Sequence, residues 1–301
     1  MKISNYLLVL TIIICALLCG CTNSEVFYPT LDLPQPGQEK PSTDVVFEYN
    51  NEIVPNISRL LVYSFNDANL AQLENHLASV FSVDSTFKEL DALRLYRDEN
   101  MVIGIDTSNG SWSYTNYKFD DTMYRDCHSG LTDDECIQIA KKVAAEHDLD
   151  LSIFKNIIVT PVQQKIATED SKTIGHTVFF YPVINGYNVF GVSRFCVTIN
   201  GYGDVSTIIC VKKDITPFVE EPIIGIEEAL NIITSSDTPT IVGDEDITNV
   251  RLIECNYGYY ADTKPISEQP YLQPIMVLKG IGRDLDGNES DYMAIIPAIK
   301  N

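Results

Sequence analysis

Cationic side chains are scarce in this chain of 301 residues: Lys and Arg number 21 against 42 Asp and Glu, a formal net charge of −21. A surface that acidic repels phosphate backbones and anionic headgroups at long range, which argues against nucleic-acid binding. Histidine is thin as well. His76, His128, His147 and His176 are scattered, and none has metal-ligand spacing with a cysteine, so no zinc or other metal is expected. The familiar catalytic strings are missing too: no HExxH, no GxSxG, and no glycine-rich phosphate loop ending in Lys-Ser. Cys127 beside His128 is a weak nucleophile–base pair, because sequence neighbours point apart and catalytic pairs meet through the fold. Glu220-Glu221 and Asp244 to Asp246 sit in polar stretches and read as solvated carboxylates. The expectation is a protein without catalytic residues or cofactor.

A membrane-spanning run is also lacking. The apolar stretch Tyr6 to Gly20 falls short of the ~20 residues a spanning helix needs. It follows Lys2 and ends in Leu18-Cys19-Gly20-Cys21. On Leu18, Gly20 and Cys21 it resembles a bacterial lipoprotein signal peptide, with Cys19 before Gly20. The resemblance implies that residues 1–20 are removed and that the Cys21 sulfur carries diacylglycerol, with palmitate among the acyl chains. Two chains hold a protein at a bilayer where one only lingers. The implied location is the extracytoplasmic face of a bacterial, Gram-positive cell membrane. A plain secretory signal or an uncleaved anchor is the alternative. Residues 21–44, with Pro29, Pro34, Pro36 and Pro41, offer too little apolar face to pack and read as a disordered tether.

What is present is strand. Val178 to Val211 holds long apolar runs broken by Asn185-Gly186 and by Asn200 to Asp204 (NGYGD). Asn-Gly between apolar runs signals a hairpin, because both residues tolerate positive φ. Of eight cysteines, Cys15 and Cys19 leave with the signal and Cys21 is acylated. Cys127, Cys136, Cys196, Cys210 and Cys255 remain, an odd set. Cys196 and Cys210 flank the NGYGD hairpin as candidate cross-strand neighbours, and Cys127 and Cys136 bracket a helix start. Each also suits a small buried apolar position.

Three passes of helix and strand follow. In 45–125, Leu70, Leu73, Leu77 and Val80 mark one helix face, and Arg59–Phe65, Ala92–Tyr96, Met101–Ile105 and Ser111–Tyr117 read as strands. Trp112, the only tryptophan, alternates with Tyr114, either as core or as an exposed ligand-binding stripe. In 126–222, Thr132 and Glu135 have capping-box spacing ahead of a helix whose apolar face carries Ile137, Ala140, Val143 and Ala144. In 223–301, a helix IEEALNIITSS precedes strands near Val250–Tyr260, Tyr271–Gly280 and Tyr292–Ala298. Asp284 to Asp291 (DLDGNESD) either turns a hairpin or offers Asp284, Asp286 and Asp291 to calcium, without the spacing of an EF-hand loop. The expected fold is α+β, tandem modules of a helix packed on an antiparallel sheet.

LTDDECIQIAKKVAAEHDLDL, YPVINGYNVFG and VTINGYGDVSTI resemble the helix, strand and hairpin of PepSY (cystatin-like) modules. GIEEALNII, VRLIECNYGYY, YLQPIMVLKGIG and YMAIIPAIK resemble the closing half of YycH/YycI-type two-component regulatory proteins, though a lipobox replaces their transmembrane helix. The resemblance, over about residues 130–300 and more faintly over 45–125, implies a non-enzymatic, extracytoplasmic regulatory module that binds an envelope protein such as a sensor kinase. PepSY-type modules also imply a protease inhibitor or chaperone-like protein acting in trans. A peptide- or glycan-binding lipoprotein, using aromatic strands at Trp112 or Phe179 to Tyr181, is the third reading.

Overall fold

The computed structural model describes residues 28–29, 31, 45–83, 86–123, 129–164, 171–235, 240–242 and 247–300. Cys21, the signal segment and Cys127 lie outside them. The elements run β1 (Val46–Glu48), β2 (Arg59–Phe65), α1 (Leu70–Val80), β3 (Lys88–Leu90), β4 (Leu93–Arg97), β5 (Met101–Asp106), β6 (Trp112–Asn116), α2 (Tyr117–Met123) and α3 (Asp133–Glu146). There follow β7 (Phe154–Gln164), β8 (Lys172–Ile184), β9 (Tyr187–Gly191), β10 (Arg194–Asn200), β11 (Val205–Val211), β12 (Ile215–Pro222) and α4 (Ile226–Ser235). The chain closes with β13 (Thr240–Val242), β14 (Ile247–Ala261), β15 (Tyr271–Asp284) and β16 (Glu289–Pro297).

Local signals hold where the physics is local. The α3 capping box forms: Glu135 N–H donates to Thr132 Oγ1 at 3.3 Å, and Thr132 N–H donates back to the Glu135 carboxylate at 2.8 Å. Asn185 and Gly186 both take positive φ, 50° and 87°, as a tight hairpin turn requires. Asp284 to Asp291 is a hairpin turn with Gly287 at φ 86°, where Asp284 accepts from the backbone and side chain of Asn288. Among the described residues no carboxylate, His and Cys cluster could hold a metal.

Strand pairing departs from the expectation. The described residues are mostly β, 52% strand against 18% helix. Their strands join in one mixed hydrogen-bonded network, ordered β12-β2-β15-β14-β9-β8-β10-β11-β6-β5-β4-β3. The α+β fold of tandem helix-on-sheet modules is therefore corrected to a mostly β, mixed-sheet architecture. Strands of the three stretches are interleaved: β1 pairs parallel with β14, β2 sits between β12 and β15, and β6 pairs antiparallel with β11. Each helix-then-strand stretch looks self-contained in sequence, but strand edges find partners at long range, which no local period encodes.

Cores form where apolar strand faces meet helices. In the sheet from β7 to β4, one register row runs Val159, Val178, Val197, Ile208, Tyr114, Ile103 and Tyr96. Against it lie Leu77 of α1 and Cys136, Ala140, Val143 and Ala144 of α3. The next row, on the opposite face, aligns Thr160, Thr177, Thr198, Thr207 and Thr115. A second core gathers Ile226, Ala229 and Ile233 of α4 onto β14, β15 and β16. The β8–β9 hairpin bridges the two: β9 pairs parallel with β14, and a Cβ on Gly191 would stand 2.0 Å from the Ala261 carbonyl oxygen.

Candidate cleft over Trp112

A cleft of about 370 Å³ opens between the amino end of α1, the β5–β6 turn, the loop after α3 and the end of β11. Its α1 wall presents Gln72, Leu73 and His76, placed on one side by helical spacing. Asn69 caps this helix, its side-chain oxygen accepting from Gln72 N–H at 3.2 Å. The turn wall is Asn109-Gly110. Gly110 has φ 74°, and a Cβ there would lie 2.6 Å from that of Ala68. Asp106 accepts from Ser108 N–H at 2.8 Å and its hydroxyl at 2.6 Å, which fixes the turn.

Three aromatic side chains, Trp112, Phe154 and Phe195, form the floor. Trp112 is only 5% exposed and meets Phe81 edge-on at 6.2 Å, so the core reading of its strand holds while part of the ring still lines the cleft. Cys210 pairs in register with Trp112 on the same wall. Burial pushes its thiol up to about 12, leaving it protonated and a poor nucleophile. His76 Nε2 lies 3.2 Å from the carbonyl oxygen of His147.

The rim is charged. Asp148, Asp150, Lys212 and Asp214 all line it. Asp150 accepts from Ser152 N–H at 2.8 Å and Ser152 hydroxyl at 3.0 Å; these bonds, with a smaller contribution from Lys212, hold its carboxyl below the ordinary range. Lys212 Nζ stands 3.5 Å from Asp214. The next residue, Lys213, turns the other way and is buried: its Nζ donates to the Lys264 carbonyl at 2.7 Å and lies 4.9 Å from the Phe65 ring centre.

Of the residues named from sequence, Leu73, His76, Trp112 and Cys210 line this cleft, and of the candidate ligand-binding aromatics only Trp112 does. Phe179 and Tyr181 stack at 6.2 Å and 18°, in register with Ile158 and Asn156 on the face away from α1 and α3. Cys196 and Cys210 are not cross-strand partners: Cys196 pairs with Ile209 and Cys210 with Phe195, so the thiols face opposite sides. Cys136, Cys196, Cys210 and Cys255 are all free. The rim residues carry no distinctive sequence signal: polar residues at element ends, as in DLDL and KKD, are what ordinary loops also supply.

No protein-family model matches the chain, and no curated protein matches it. No helix among the described residues is long and apolar enough to cross a membrane.

Proposed function

We propose that this chain is a non-enzymatic, extracytoplasmic protein-binding module of a bacterial envelope, held at the membrane by acyl chains on Cys21. It acts as a regulator by capturing a segment of another envelope protein in the cleft over Trp112. The observation that carries this reading is the cleft: a concavity with an aromatic floor and convergent polar groups is the usual form of a binding site. Its one thiol is held protonated, which favours binding over nucleophilic chemistry. The lipobox-like Cys21 supports the location, and the YycH/YycI-like pattern favours a signalling partner. A peptide suits the site better than a glycan, because sugar stacking needs an open ring face and Trp112 is almost covered.

Crosslinking of the tagged chain in cells tests the reading. Gln72→Trp, at an exposed helix position, fills the cleft mouth and is expected to lose the captured partner. Leu285→Trp, on a hairpin tip 86% exposed, is expected to keep it. Equal capture by both variants contradicts the assignment. Cys21→Ala is expected to release the protein from the membrane fraction or leave it unprocessed, and normal processing with unchanged retention contradicts the anchor.

A further inference from the structure

The cleft carries three carboxylates, Asp148, Asp150 and Asp214, against one ammonium, Lys212. Lys212 is drawn to Asp214 at 3.5 Å. Asp148 and Asp150 share an exposed loop, and neither forms an ion pair among the described residues. The half-charge at the amino end of α1 offsets part of one carboxylate at most. The sign varies from groove to groove: the one along α3 and β7 is lined by Lys141 and Lys155 and by no acid, while the one at the start of α3 is lined by Asp134 and Glu135. Beneath the carboxylates lie Leu73, Leu149 and the rings of Trp112, Phe154 and Phe195. An aliphatic stem with a cationic head matches such a site in both parts, as long basic side chains bury their methylenes and keep the charge at the rim.

We propose that the occupant of the cleft is a basic segment of the partner protein. An arginine or lysine lays its stem over Leu73, Leu149 and the aromatic floor and sets its charge between Asp148 and Asp150. This assignment rests on the binding role of the cleft and names the chemistry that fills it. Charge complementarity carries it: an acidic rim above an apolar floor, on a chain whose net charge of −21 steers cations toward it.

The test uses the purified full-length chain in neutral detergent and two capped pentapeptides, one with arginine between two leucines and one with glutamate there. Binding is read by calorimetry and by the emission of Trp112, the only tryptophan. The arginine peptide is expected to bind about three- to tenfold tighter than the glutamate peptide, with the preference shrinking as salt rises. Asp148→Asn with Asp150→Asn is expected to erase the preference. Asn tolerates the φ of 49° at position 148 and keeps an acceptor for Ser152, so the double variant retains the loop. Equal affinity for the two peptides, binding of neither, or an undiminished preference in the double variant overturns the proposal. Partner capture lost in Gln72→Trp without any arginine preference keeps the cleft as a binding site and removes only the charge assignment.

Discussion

Asn185 donates from Nδ2 to the hydroxyl of Tyr63 at 2.6 Å, across 122 residues of sequence. The bond pins the β8–β9 hairpin to β2. Tyr63 in turn meets Tyr259 edge-on at 5.5 Å, and Tyr259 donates to the Leu61 carbonyl at 2.8 Å. One turn thereby links the sheet under α1 and α3 to the sheet under α4.

Tyr63→Phe keeps the ring and removes the acceptor. We expect a loss of about 0.5–1.5 kcal/mol, read as a lower urea midpoint with unchanged slope. An unaltered midpoint would show that the bond adds nothing to the joint.

Gly191→Ala is expected to be costlier. Its φ of 92° is unsuited to a side chain, and the new Cβ would collide with the Ala261 carbonyl. The β9–β14 pairing should open, with a penalty above about 1 kcal/mol and faster amide exchange at Val189 and Tyr259. Exchange equal to that of the parent chain contradicts this pairing.

Thr132→Ala removes the acceptor for the Glu135 N–H and is expected to cost about 1 kcal/mol. Thermal unfolding of the variant checks it, and an unchanged melting temperature would sink the capping claim.

The free thiols give a chemical check on register. Cys196 and Cys210 face opposite sides of the sheet, and burial raises both thiols, Cys210 to about 12. Alkylation mapped by mass spectrometry should leave Cys136, Cys196, Cys210 and Cys255 slow in the native protein and fast in denaturant. A peptide linking Cys196 to Cys210 by a disulfide contradicts the register.

Asp98 accepts from the Tyr96 hydroxyl and from the Asn100 and Met101 backbone N–H groups, the first being the largest influence, and these bonds hold its carboxyl below the ordinary range. A carboxyl depressed on folding adds stability above its unfolded value, and that stability is lost as pH falls through the folded one. Asp98→Asn should therefore lose less stability than the parent as pH falls from about 5 through the ordinary carboxyl value and below it. Parallel losses contradict this contribution.

What the sequence conveyed follows the range of the interactions. Leu70–Val80, the Thr132–Glu135 cap and the Asn185-Gly186 turn were legible because each depends on residues within a few positions. The pairing of β2 with β12 and β15, or of β1 with β14, was not, since a strand edge accepts any extended partner. That is why three apparent modules became one interleaved network. Trp112 stands out in the sequence as the only tryptophan, yet the cleft around it comes from Gln72, Asp150 and Lys212, brought together only by long-range packing. A one-residue offset between Cys196 and Cys210 decides their faces, and no turn signal fixes register that finely.

Photo-crosslinking from defined positions in living cells tests the central claim most directly. A probe at Asp214 sits on the exposed rim of the cleft without filling its mouth, and one at Ile158, 53% exposed, sits on edge strand β7, where a partner adding a strand would dock. The cleft account predicts a discrete protein partner captured at Asp214 and none at Ile158. Capture at Ile158 alone, or at neither position, contradicts it.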